Sequence, residues 1–75
     1  MEINTNDLKQ WLQAEKIEEK ENGVYIKFDK INEAEFDFIC EDYSCKRLSD
    51  NELLMPTEEF EILINVYENS RIKWN

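Results

Sequence analysis

The chain reads as a small α+β domain of two layers, in the order α-β-β-β-α, with an antiparallel sheet carrying its helices on one face. Three observations predict this. The stretch 23–42, GVYIKFDKINEAEFDFICED, alternates apolar and polar residues in two runs. Helix-period apolar stripes flank it, at Leu8, Trp11 and Leu12 and at Phe60, Leu63, Ile64 and Tyr67. The length of 75 residues suits a single domain spanning residues 1–75, with one core.

Each element has a local reason. Residues 1–4 are a lead-in, and Thr5 or Asn6 is placed to cap the first helix, with Asp7 in its electropositive first turn. Leu8, Trp11 and Leu12 fall at i, i+3 and i+4 on one face; Glu15 and Lys16 then interrupt the stripe, so the helix ends near Ala14 or Glu15. Residues 16–21 have two readings. Asn22-Gly23 supplies the positive φ of a tight hairpin turn, which favours a polar strand paired with residues 24–30. The alternative is one helix over residues 6–20 that stops at Gly23.

In the first central run Val24, Ile26 and Phe28 point one way and Tyr25, Lys27 and Asp29 the other. In the second, past a polar break at Asn32-Glu33, Phe36, Phe38 and Cys40 share a face opposite Glu35, Asp37, Ile39 and Glu41. Residues 43–48 are ambiguous in pattern and can extend the sheet briefly. Ser49 and Glu52 have capping-box spacing, but Pro56 truncates whatever starts there, so Leu53, Leu54 and Met55 form at most a short turn. Thr57 caps the last helix, TEEFEILINVYENSRI, whose terminal charges (Glu58, Glu59 and Arg71) complement its dipole. Trp11 and Trp74 are assigned to the core. Helices covering the apolar side leave a wet sheet face carrying Asp29, Glu35, Asp37 and Glu41, with Lys27 and Tyr25 among them.

Composition narrows function. Eighteen acidic residues against nine basic ones give a net charge of −9. Such a field repels nucleic acid and anionic membranes and attracts basic surfaces. With no histidine there is no imidazole base and no nucleophile–His pair, and one glycine excludes a Gly-rich phosphate cradle. Neither an enzyme nor a cofactor site is expected. Cys40 and Cys45 are too few for a structural zinc site within one chain; Cys40 reads as a core thiol, and Cys45 has Lys46 and Arg47 beside it to lower its pKa if it is exposed. The N-terminal residues carry no signal-peptide pattern and no apolar run is long enough to span a bilayer, so a cytoplasmic location with reduced thiols is expected.

Arrays of carboxylates need no cleft. Residues i and i+2 on a strand lie ~7 Å apart on one face, the scale on which charge repeats along a nucleic-acid backbone. Glu35, Asp37 and Glu41 form one such row on the predicted strand, and Glu58, Glu61 and Glu68 another along the last helix. Asp29, Tyr25 and Tyr43 extend the candidate partner-binding set, since tyrosine beside acids offers a ring for arginine to stack on. The opposing interpretation is that both rows are ordinary solvated faces. In size, acidity and mixed topology the chain is similar to small phage-encoded inhibitors, including some anti-CRISPR proteins, with no shared motif that carries residues across. The expected function is that of an acidic inhibitor covering the basic, nucleic-acid-binding site of a partner protein. An immunity or antitoxin-like protein and a self-associating accessory protein are the alternatives, and the oligomeric state is open.

Overall fold

The structure is a computed structural model that describes the backbone of residues 5–73 and the side chains of residues 6–70. Among these lie α1 (Thr5–Leu12), β1 (Ala14–Lys20), β2 (Gly23–Phe28), α2 (Glu33–Asp42), β3 (Lys46–Arg47), β4 (Glu52–Met55) and α3 (Thr57–Lys73). The strands form one antiparallel sheet in the order β1-β2-β4-β3. The fold is α+β, as the sequence predicts. The element order α-β-β-β-α is corrected to α-β-β-α-β-β-α, because two segments take a different form from the one expected.

The core explains the layering. Val24, Ile26 and Phe28 of β2 and Leu53 and Met55 of β4 are buried, and the register sets Val24 against Met55 and Ile26 against Leu53 on one face. Leu8 of α1, Phe36 of α2 and Phe60, Leu63 and Tyr67 of α3 close over the same cluster. Each such burial is worth roughly 1.5–3 kcal/mol before conformational entropy is charged against it. All three helices thus lie on one side of the sheet.

The first correction is residues 35–41, expected as a strand beyond the Asn32-Glu33 break and found within helix α2. Phe36 and Cys40 fit both periods, because a separation of four is two strand repeats and about one helical turn. The helix buries Phe36 with Ile39, Cys40 and Tyr43 packed toward the core, and turns Phe38 outward to 64% exposure. Both ends are specified locally. The Asn32 side chain accepts from Ala34 N at 2.8 Å, Glu33 and Glu35 occupy the first turn, and Phe36 N donates to Asn32 O at 2.9 Å. At the other end Tyr43 is the cap residue, Cys45 N donates back to Cys40 O at 2.9 Å, and Ser44 between them has φ +53°. This is the Schellman arrangement, in which glycine usually holds the left-handed position. Ser44→Gly is therefore expected to stabilise the protein by about 0.5 kcal/mol, relief of left-handed strain outweighing the freer unfolded chain. Chemical denaturation measures this, and an unchanged or lower midpoint would contradict it.

The second correction is residues 53–55, expected as at most a turn and found in the inner strand β4. Pro56 does not interfere, since it follows the last paired residue and owes the ladder no N–H. The Ser49–Glu52 segment makes a turn and not a helix start: Ser49 Oγ donates to Glu52 Oε1 at 2.7 Å and Ser49 N to Glu52 O at 3.2 Å. Helix α3 opens one residue from the expected place, because Phe60 N donates to Pro56 O and Thr57 is already helical.

The remaining elements follow the sequence with smaller shifts. Of the two readings of residues 16–21, the strand is realised, as β1. Its two-residue connection to β2 is Glu21-Asn22, and the positive φ falls on Gly23 alone, not on Asn22. Helix α1 ends at Leu12, Gln13 turning the chain with φ +61°, and Thr5 and Asn6 are already helical instead of capping it. Trp11, assigned to the core, is 41% exposed, its ring tilted against Tyr67 at 5.2 Å between centroids. The lead-in and Trp74 lie outside the described residues.

Candidate protein-binding face

The two sides of the domain differ in charge. On the open face of the sheet, register aligns Lys16, Glu18 and Lys20 of β1 with Tyr25 and Lys27 of β2, Glu52 and Leu54 of β4 and Lys46 of β3. These charges pair among themselves. Glu18 lies 2.8 Å from Lys16 and 3.0 Å from Lys20, and Lys27 lies 3.7 Å from Glu15. Four lysines against three glutamates leave this face nearly neutral. Pairs this exposed add little stability.

Tyr25 stands in the middle of that face, half-buried, with its hydroxyl donating to Glu52 and Lys20 Nζ 5.9 Å from its ring centre. The bond to Glu52, with some burial and the surrounding acids, pushes the phenol up to about 12, and the same bond together with Ser49 holds the Glu52 carboxyl below its usual range. The sign follows. A folded pKa of about 12 above an unfolded 10.0 means the Tyr25 contribution is complete below pH 10 and lost as pH rises toward 12. Tyr25→Phe is expected to flatten the alkaline fall in the denaturation midpoint and remove the latest-titrating tyrosinate absorbance. An unaltered alkaline limb would show the hydrogen bond to be unimportant.

The helical layer holds the excess acid. Helix α2 carries Glu33, Glu35, Asp37, Glu41 and Asp42 and no basic residue. Glu33, Asp37 and Glu41 follow one another at i, i+4 and i+8, about 6 Å apart along the axis at a rise of 1.5 Å per residue. Asp37 is bound to Arg47 of β3, whose guanidinium also lies 4.9 Å from the Phe36 ring centre. Glu35 and Glu41 stay exposed on either side of Phe38. Helix α3 adds exposed Glu58 and Glu61, with Glu68 half-buried along the same side. Glu59, in the first turn of α3, adds its charge to the burial that raises the Tyr43 phenol and the Cys45 thiol.

The expected set therefore separates into groups. Glu35, Asp37 and Glu41 share an element, but it is a helix, which places Glu35 on a different flank from Asp37; the ~7 Å strand row is not formed. Glu58, Glu61 and Glu68 lie on α3 as expected. Asp29 is exposed in the bend after β2. Tyr25 is on the far side of the sheet from these acids. Tyr43 is half-buried as the cap of α2, its phenol raised chiefly by burial. Sequence reasoning missed Glu33 and Asp42 as members of the face and Phe38 as its exposed centre. The signal was Asn32 followed by Glu33, Ala34 and Glu35, a capped helical first turn.

Cys45 is pushed up to about 12 and Cys40 is raised, both chiefly by burial, so the basic neighbours of Cys45 do not activate it. A shallow depression of about 320 Å³ beside the start of α2 is lined by Ile31, Glu33, Arg47 and Asp50. Among the described residues no three potential metal ligands converge, and no helix is long and apolar enough to cross a membrane. Comparison with protein-family models, with curated proteins and with solved structures finds no match.

Proposed function

We propose that this chain is a non-catalytic binding protein that inhibits a basic, nucleic-acid-handling partner by covering its positively charged site with the acidic layer of α2 and α3. One observation carries the reading. Helix α2 keeps Glu41 and Asp42 in its last turn, where the dipole disfavours anions, and has no base there to offset them. Carboxylates so placed cost about 0.3–1 kcal/mol each. Solubility gives no reason for that position, since the acids would serve it equally well anywhere on the surface. A requirement for negative charge on this face does. The near-neutral sheet face makes the charge asymmetric, which would orient a long-range encounter with a basic partner.

The test separates binding from folding. Glu41→Lys and Asp42→Lys are each expected to raise stability by about 0.5 kcal/mol. The pair Glu35→Lys/Glu41→Lys is expected to abolish low-salt capture of the partner from lysate of the source cells, with nuclease present and with added DNA or RNA as competitor. Asp37 is left native, because its reversal would also break the contact with Arg47. Undiminished capture by the charge-reversed chain would refute the acidic face. A second reading, neutralisation through shape as much as charge, is favoured by the exposed Phe38, Ile62 and Val66. It predicts a complex retained at high salt, because apolar contacts are not screened.

A further inference from the structure

Among the described residues the most exposed large apolar side chain sits at the centre of the acidic helix. Phe38 is 64% exposed, against 50% for Ile62 and 47% for Leu48. At 100° per residue it stands opposite the buried Phe36 and the half-buried Tyr43, so it is the outermost point of α2. Its neighbours at three and four residues are Ala34, Glu35, Glu41 and Asp42. A phenylalanine there contributes nothing to the core and is a poorer helix former than the Glu or Ala residues around it. It is an apolar ring with carboxylates around it and a small side chain on one side.

We propose, building on the function above, that α2 docks by this outward face. The Phe38 ring enters an apolar recess in a positively charged protein surface, while Glu35, Glu41 and Asp42 meet lysine and arginine side chains at its edge. Charge selects this occupant. A second copy would bring the same carboxylates against one another, and nucleic acid or an anionic membrane would be repelled by a chain of net charge −9. A basic protein surface satisfies both the ring and its rim. An aromatic anchor desolvated inside a charged rim is the usual composition of an interface hot spot. Arginine at the rim gains further by stacking on the ring.

The experiment uses the full ¹⁵N-labelled chain and two synthetic helical peptides. One has a lysine face and a leucine face; in the other every leucine is replaced by serine. The Lys/Leu peptide is expected to shift the amides of residues 34–42 and to bind at least tenfold less tightly to Phe38→Ala, with binding restored in Phe38→Trp. The Lys/Ser peptide is expected to bind weakly, to be displaced by salt, and to ignore the substitution. Phe38 lies outside the core, so both variants should unfold at the native urea midpoint, which confirms that binding alone is being read. Equal affinity of the Lys/Leu peptide for the native and Phe38→Ala chains overturns the proposal. Shifts centred on Ile62 and Val66, or on the open sheet face, overturn it too. If both peptides bind equally through Glu35 and Glu41, the acidic surface stands and the role of Phe38 falls. If neither perturbs α2 at low salt, both fall.

Discussion

Phe36→Ala is expected to cost about 4 kcal/mol of stability, whereas the same change at Phe38 is expected to shift it by less than about 0.5 kcal/mol. Phe36 is fully buried, meets Phe28 edge-on at 6.1 Å between ring centres, and carries the Arg47 guanidinium on its own ring. Its removal takes away the one fully buried side chain by which α2 holds the sheet and leaves a cavity that the backbone of a capped helix cannot close. A domain of this size has about 5–10 kcal/mol in total, so the variant should be substantially unfolded at 37 °C. Phe38 has no such contacts to lose. The contrast also tests the element itself. On a strand, Phe36 and Phe38 would share a face and both losses would be large; on a helix they lie about 200° apart. Urea denaturation of the two variants decides it, and comparable losses would contradict the helix.

Gly23→Ala is expected to cost about 3 kcal/mol. Two separate penalties meet at this residue. Its φ of +144° is one that side chains rarely adopt, and a Cβ would stand 2.6 Å from Met55 O, a backbone atom of the neighbouring inner strand. That carbonyl cannot move aside without disturbing the β2–β4 pairing that sets Val24 against Met55. Asn22→Ala is the matched control. Asn22 has no positive φ, so its loss should cost below about 0.5 kcal/mol. A turn with both central residues left-handed, the form expected of Asn-Gly, would make Asn22 costly as well. Denaturation midpoints distinguish the two, and a Gly23→Ala protein as stable as the native chain would refute the close approach.

The candidate site was legible in composition and less so in geometry. The acids of residues 33–42 stand out in the sequence, and so do Glu58, Glu61 and Glu68, whose flank follows from the strong Phe60-Leu63-Ile64-Tyr67 stripe. What could not be read was how Glu35, Asp37 and Glu41 face one another, because that depends on whether Phe38 or Ile39 points inward. Tyr25 shows the same limit differently. Its alternation within β2 was right, but its partner, Glu52, is 27 residues away and arrives only when β4 pairs beside β2.

By itself the sequence determined the α+β class, the inward set Val24, Ile26 and Phe28 and the amphipathic α3, while the structure chose the hairpin over the helical reading of residues 16–21. Each feature determined by sequence rests on interactions between near neighbours or on a period long enough to be unambiguous. Tertiary structure also decided two short segments where local preference was divided. Residues 53–55 are too few to declare a strand, and became one because Leu53 and Met55 fill the face beside Ile26 and Val24. Residues 33–42 satisfied both periods, and became a helix because Phe36, Ile39 and Cys40 then cover the sheet beside α3 while Asn32 and Ser44 close its ends. A strand there would have buried Phe38 and left Ile39 in water. The exposed ring and its acidic rim are the consequence of that packing choice.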